Sequence, residues 1–184
     1  MVSSVQAFER YQEKSAWLWE HQALTRARFC AGDTEIGKTF EAIREKVLCL
    51  PRDPLQLKSE VINMRKKMRD ANPNRSELFD LKHDRGGMID IEFMVQYLVL
   101  RYANLHPELC GNIGNIALLQ RCGNLGLIDS KLATETANSY RLLRKFQHNI
   151  RLQGEERARI QKEKVAAAVH YSEALWNNLF EADV

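Results

Sequence analysis

Glycine and proline are scarce in this chain, with nine and four in 184 residues. Aromatic residues supply only 8%, and long β-branched runs are absent. Sheets need frequent turns and strands rich in β-branched and aromatic residues. Their shortage argues against a sandwich, barrel or doubly wound sheet and towards an all-α fold. No apolar run approaches the roughly 20 residues that cross a bilayer, and no secretory leader pattern opens the chain. A membrane partner is therefore not expected, and a cytoplasmic protein is. The four cysteines (Cys30, Cys49, Cys110, Cys122) lie far apart, without a Cys-x-x-Cys or a histidine pair at ligand spacing. They read as reduced, partly buried thiols rather than a disulfide frame or a structural zinc site. An excess of one charge is missing too. The 27 basic and 24 acidic residues leave a net charge of +3, with the signs interspersed, so neither nucleic acid nor an anionic surface is demanded as a partner. The five histidines are scattered, with no spacing that supports a Ser/His/Asp or Cys/His pairing.

What the chain does hold is helical periodicity, in a length that suits one domain over residues 1–184 and a real core. A long helix is expected from Val5 to Cys30, because neither Gly nor Pro interrupts it. Its two tryptophans, Trp17 and Trp19, point in different directions on a helix. Both in the core is the expected arrangement, and one turned to a neighbouring domain is the other. Gly32 and Asp33 should stop that helix and cap the next. Ile36, Phe40, Ile43, Val47 and Leu50 then repeat on one face. Asp53-Pro54 opens a third helix with the stripe Leu57, Val61, Met64, Met68, and a basic face of Lys58, Arg65, Lys66, Lys67 and Arg69 expected in solvent. A short helix around Ile116–Arg121, a long one capped by Asp129 or Ser130, and a last one from about Glu155 to Phe180 complete the pattern. The sum is six or seven helices with no convincing sheet, a multi-helix bundle.

The stretch from Phe79 to Arg101 organises the rest. Gly86-Gly87 open it, and from Met88 onward it is apolar on nearly every side, as only a buried helix is. Its polar residues Asp90, Glu92, Gln96 and Arg101 are costly to bury and need partners. Asp90-Ile91-Glu92 has the look of a metal-binding carboxylate pair, but on a helix these positions lie about 200° apart. A buried polar contact for each is expected. Gly86-Gly87 with Lys82 and Arg85 nearby offers an anion site at a helix start, while a tight turn is the simpler expectation. Gly32 to Thr39 fits the P-loop pattern in letters. Its flank (Thr25 to Cys30) reads as helix rather than strand, and Asp33 and Glu35 would repel phosphate, so a helix–turn–helix corner is expected instead.

Several stretches together resemble a known family. Ala7-Phe8-Glu9-Arg10-Tyr11-Gln12, Ala16-Trp17-Leu18-Trp19-Glu20-His21-Gln22-Ala23-Leu24-Thr25-Arg26-Ala27-Arg28, Phe79-Asp80-Leu81-Lys82 with Gly86-Gly87, Asp90-Ile91-Glu92-Phe93, and Gln96-Tyr97-Leu98-Val99-Leu100-Arg101-Tyr102-Ala103 are similar to a segment of the bacterial bifunctional glutamine synthetase adenylyltransferase/adenylyl-removing enzymes. The resemblance is strong from about residue 3 to residue 105 and weaker beyond. It implies the helical domain that follows the second nucleotidyltransferase domain, with residues 1–7 as the tail of that catalytic domain. It implies an enzyme that moves AMP from ATP onto a tyrosine of glutamine synthetase and removes it by phosphorolysis. Magnesium serves both steps, and glutamine and the PII signalling protein set the balance. The family's Gly-Ser turn and paired strand aspartates do not occur here. No catalytic residue, no bound ATP and no metal ligand is therefore expected in this chain, which alone should be inactive. Lys82, Gly86, Gly87, Asp90, Glu92 and Gln96, with Trp17 and Trp19, are the residues expected near or against the catalytic domain. Two other readings stand beside this one: the helical domain of the related PII uridylyltransferase, against which the Trp17 and Asp90 stretches argue, and a non-catalytic helical module binding protein or RNA.

Overall fold

A computed structural model describes residues 3–181. Residues 1 and 2, the first part of the expected catalytic-domain tail, lie outside the described residues. The fold is all-α, with eight α-helices among the described residues: α1 (Val5–Lys14), α2 (Leu18–Leu24), α3 (Thr34–Leu48), α4 (Pro54–Asp70), α5 (Met88–Tyr102), α6 (Asn115–Asn124), α7 (Ser130–Leu152) and α8 (Ala166–Trp176). Two two-residue strands, β1 (Phe79–Asp80) and β2 (Arg159–Ile160), pair antiparallel as a minimal ribbon. The chain divides into two compact units, Met1–Val61 with Gln96–Asn112, and Ile62–Val95 with Ile113–Val184. The division falls inside α4 and α5.

In the first unit α1 and α2 pack on α3. The Phe8 and Phe40 rings meet at 5.7 Å, and Lys46 of α3 pairs with Glu9 and Glu13 of α1. The expected unbroken helix from Val5 to Cys30 is a correction. It ends at Lys14, and both Ser15 and Ala16 donate back to the Tyr11 carbonyl. Trp17 then turns extended (φ −80°, ψ 157°), and the Glu20 carboxylate accepts from the Trp17 N–H at 2.9 Å and from the Tyr11 hydroxyl at 2.8 Å. A side chain three residues into α2 thus satisfies the exposed N–H of the residue that precedes the helix, one half of a capping box. No glycine is needed because no residue here adopts a positive φ. Residues 27–30, expected as helix, are irregular.

Buried arginine ties this unit together. Arg44 of α3 (5% exposed) donates to the Glu41 carboxylate, the Leu24 carbonyl and the Cys110 carbonyl, the last at 2.7 Å. Arg52 gathers the Val47, Leu48 and Leu50 carbonyls at 2.8, 3.0 and 2.9 Å. A guanidinium over these carbonyls closes the end of α3 and complements its negative pole.

In the second unit α7 packs against α6 and α8. The buried face of α7 is Ala133, Thr136, Ala137, Tyr140 and Leu143. Small residues there allow close approach: a Cβ on Gly123 of α6 would sit 2.8 Å from that of Ala133. Helix α8 starts only at Ala166, well after the expected Glu155, because residues 159–160 are drawn into the ribbon and Lys162–Val165 form a 3-10 turn. A π-helical turn, Asn177–Glu181, follows α8. The expected burial of α5 holds: from Met88 to Leu100 every residue except Glu92 is buried. No helix among the described residues is long and apolar enough to cross a membrane.

Candidate functional site

The turn that launches α5 is built from carboxylates and two glycines. Asp80, at the end of β1, accepts the N–H groups of Lys82 and His83 on one oxygen, at 2.9 and 3.0 Å. Asp84 accepts the Asp80 N–H at 2.8 Å and the Asn74 side-chain amide at 2.7 Å. Such carboxylate-to-backbone bonds hold a tight turn without help from secondary structure. Gly86 takes φ +78°, and its N–H donates to the Asp90 carboxylate at 2.6 Å. The other Asp90 oxygen pairs with Nε of Arg65 on α4, and that guanidinium also donates to the His83 carbonyl at 2.7 Å. Arg65 is 3% and Asp90 4% exposed. A desolvated ion pair therefore fixes both sides of the turn at once.

This geometry closes the turn to anions. The Gly86 N–H is held by Asp90, that of Gly87 by the Asp84 carbonyl, that of Met88 by the Leu81 carbonyl and that of Ile89 by the Lys82 carbonyl. The first N–H groups of a helix bind a ligand only when they are free. Glu92, two residues on from Asp90, goes elsewhere, accepting from the Tyr140 hydroxyl at 2.9 Å. Burial first, and the Glu92 charge second, push the Tyr140 phenol up. Asp90 and Glu92 thus serve different partners, as the angular argument requires. The P-loop-like segment is the expected corner: Asp33 caps α3 by accepting from Glu35 and Ile36, which occupies the N–H groups a phosphate would need. Lys38 pairs with Glu35. No group of three His, Cys, Asp or Glu side chains among the described residues is placed to hold a metal. At both nucleotide-like turns the backbone N–H groups are thus occupied by the chain's own acceptors.

The expected site residues are divided between the two units. Lys82, Gly86, Gly87, Asp90 and Glu92 fall in the second unit, and Gln96, Trp17 and Trp19 in the first. The Lys82 side chain is exposed. Gln96, 8% exposed, accepts from the Gln22 amide at 3.2 Å. Trp17 and Trp19 overturn the expectation of core burial, being 71% and 50% exposed. The break after α1 throws the start of α2 outward. Trp17 borders a cleft of about 470 Å³ with His21, Arg52, Asp53, Gln56 and Glu60 along it. Arg65 is a further correction: expected on a solvated basic face, it is buried against Asp90. The signal for it is its spacing, four residues after Val61 and eight after Leu57, in line with the buried stripe.

His21 is fixed beside that cleft. Its Nε2–H donates to the Gln12 carbonyl at 2.9 Å, and Nδ1 accepts from Arg52 at 3.3 Å. Burial, reinforced by the Arg52 charge, holds the imidazole below its ordinary 6.5. The unfolded chain therefore takes up a proton that the folded chain resists. This contribution to stability is complete above 6.5 and is lost as the pH falls towards the depressed folded value. Thermal melts from pH 8 down to 5 should show that fall, and a His21→Gln variant should flatten it.

Comparison with known proteins comes down to two family models and a set of close relatives. The model described as Glutamate-ammonia ligase adenylyltransferase matches residues 1–43, and the model described as GlnD PII-uridylyltransferase matches residues 57–180. A bifunctional glutamine synthetase adenylyltransferase/adenylyl-removing enzyme of Aromatoleum aromaticum is 54% identical over 98% of this chain, which covers 19% of that relative. Those of Nitrosomonas europaea and Bordetella bronchiseptica are 57% and 52% identical over 84% and 98% of this chain, covering 17% and 19% of the relatives. The chain belongs to the glutamine synthetase adenylyltransferase family. The segment that the PII-uridylyltransferase model matches, 57–180, holds most of α4 and all of α5 to α8. The Asp90-Ile91-Glu92-Phe93 stretch lies inside that segment. The Trp17 stretch lies in the segment matched by the adenylyltransferase model. The chain spans about a fifth of the length of the curated relatives it matches.

Proposed function

We propose that this chain is the helical accessory domain of a cytoplasmic enzyme that transfers AMP from ATP to a tyrosine of glutamine synthetase and removes it by phosphorolysis. The observation that carries this reading is near-complete coverage of this chain, at about half identity, by a fifth of proteins bearing that name. Residues 1–184 then act as a single accessory domain, with 1–7 as the tail of the catalytic domain before it. ATP and magnesium are held by that catalytic domain, since the carboxylates of α5 are taken up by Arg65, Gly86 and Tyr140. The accessory role is to brace. Lys82 and the turn at Gly86-Gly87, locked by Asp90, present a rigid edge to the catalytic domain. Glu92 and Gln96 hold α5 in place, and Trp17 and Trp19 supply apolar surface. Glutamine and PII set the balance of the two activities.

The test is an adenylylation assay on glutamine synthetase with ATP and magnesium. This chain alone should be inactive, and the chain joined to the upstream sequence its relatives carry should be active. Activity of the isolated chain would overturn the reading. A second reading, a PII uridylyltransferase, draws on the match over 57–180. It requires the extended protein to modify PII with UTP and leave glutamine synthetase untouched.

A further inference from the structure

Cys49 closes the end of α3, and Cys110 sits in the 3-10 turn Pro107–Cys110 of the same unit. They are 61 positions apart in sequence, yet their sulfurs lie 3.5 Å apart. Neither is a lone buried thiol. Cys49 is partly exposed and its Sγ–H donates to the Ala103 carbonyl at 3.3 Å, while Cys110 is 4% exposed. The guanidinium of Arg52 lies within electrostatic reach of both sulfurs, and that of Arg44 within reach of Cys110. The remaining thiols are differently placed: Cys30 is exposed, and Cys122 is buried in the other unit.

We propose that Cys49 and Cys110 are a reversible dithiol–disulfide site, reached from solvent through Cys49 and oxidised by a low-molecular-weight disulfide. The Cys49 thiolate attacks one sulfur of that disulfide. Its S–S bond breaks, one thiolate leaves, and a mixed disulfide remains on Cys49. Cys110 then loses its proton and attacks the Cys49 sulfur, and the second thiol departs carrying that proton. Two protein thiols are oxidised, and one external disulfide is reduced to two thiols. Burial, together with the neighbouring Cys49, pushes the Cys110 thiol up to about 12. Cys49, the more exposed of the two, reacts first, and Cys110, buried beside it, is the resolving partner. The bond would tie the end of α3 to the turn that follows α5 across a long loop, constraining the unfolded chain strongly.

The experiment equilibrates the full chain in reduced and oxidised glutathione at a series of ratios, quenches by alkylation and maps tryptic peptides. The expected product links peptide 47–52 to peptide 102–121, disappears at reducing ratios, persists in Cys30→Ser and is lost in Cys49→Ser. The oxidised protein should melt about 5 °C or more above the reduced one. A stable glutathione adduct on Cys49, a link through Cys30, an unchanged dithiol, or a linked form that melts lower would each overturn the proposal.

Discussion

Asp90→Ala should cost the chain about 3–5 kcal/mol of stability, the range for breaking a buried ion pair from one side. The reason is what the carboxylate leaves behind. Arg65 is 3% exposed, one of its terminal nitrogens, NH1, already lacks a hydrogen-bond partner, and its Nε faces only Asp90. Removing the carboxylate strands a desolvated cation and frees the Gly86 N–H at the same time. Asp90→Asn keeps an oxygen for one of these donors but puts an amide where a second acceptor stood, so its loss should be smaller but substantial. Arg65→Met should be milder than Asp90→Ala in one respect, because methionine fills the space of the stem. It still leaves a buried carboxylate supported only by Gly86. The double variant Arg65→Met, Asp90→Ala should lose less than the sum of the two single changes, since replacing both charges removes the stranded ion. Urea unfolding measures all four. A midpoint that falls at constant slope reads as lost stability, and additive single losses would mean that the two side chains do not act as a pair. For the proposed function the same variants separate two roles. If the pair only holds the turn, activity of the full-length enzyme should track the folded fraction at each temperature.

Much of the fold is legible because its causes are local. Asp33, Asp53 and Asp129 each read as a helix cap, and each accepts a backbone N–H within three residues of itself. The burial of α5 follows from a surface with no polar stripe to turn outward. What escapes the sequence depends on distant partners. The break between α1 and α2 rests on Tyr11 reaching Glu20 nine residues later. The late start of α8 rests on β2 finding β1 some 80 positions earlier, with Phe79 opposite Ile160. Periodicity read along one segment cannot register either event. The candidate site divides in the same way. Helix geometry alone sends Asp90 and Glu92 to separate polar contacts. Their partners, Arg65 and Tyr140, lie on other helices. Arg65 is masked by the basic residues around it, Lys66, Lys67 and Arg69, which are exposed. Hydrophobicity puts Trp17 and Trp19 in the core, but burial follows the backbone direction that the Glu20 cap imposes.

Gly86→Ala should be strongly destabilising. Two independent penalties meet at that position. The φ of +78° lies in the left-handed region, where a Cβ costs about 1–2 kcal/mol. The new carbon would also stand 2.8 Å from Cγ1 of Val169 and 3.2 Å from the Val169 carbonyl oxygen of α8. Backbone cannot step aside as a flexible side chain can, and overpacking of this kind costs about 1–3 kcal/mol. Gly126 separates the two terms. It has φ +71° but open space around its missing Cβ, so Gly126→Ala should show the conformational penalty alone. The difference between the two variants then reports the clash with α8. Adding Val169→Ala to Gly86→Ala removes the Cγ1 contact at the expense of a small cavity, and the pair should therefore be less than additive. Equal losses for Gly86→Ala and Gly126→Ala would show that α8 does not press on the turn. A larger loss at Gly86, partly relieved by Val169→Ala, would mean that α8 and the Asp90–Arg65 pair grip the same turn from two sides.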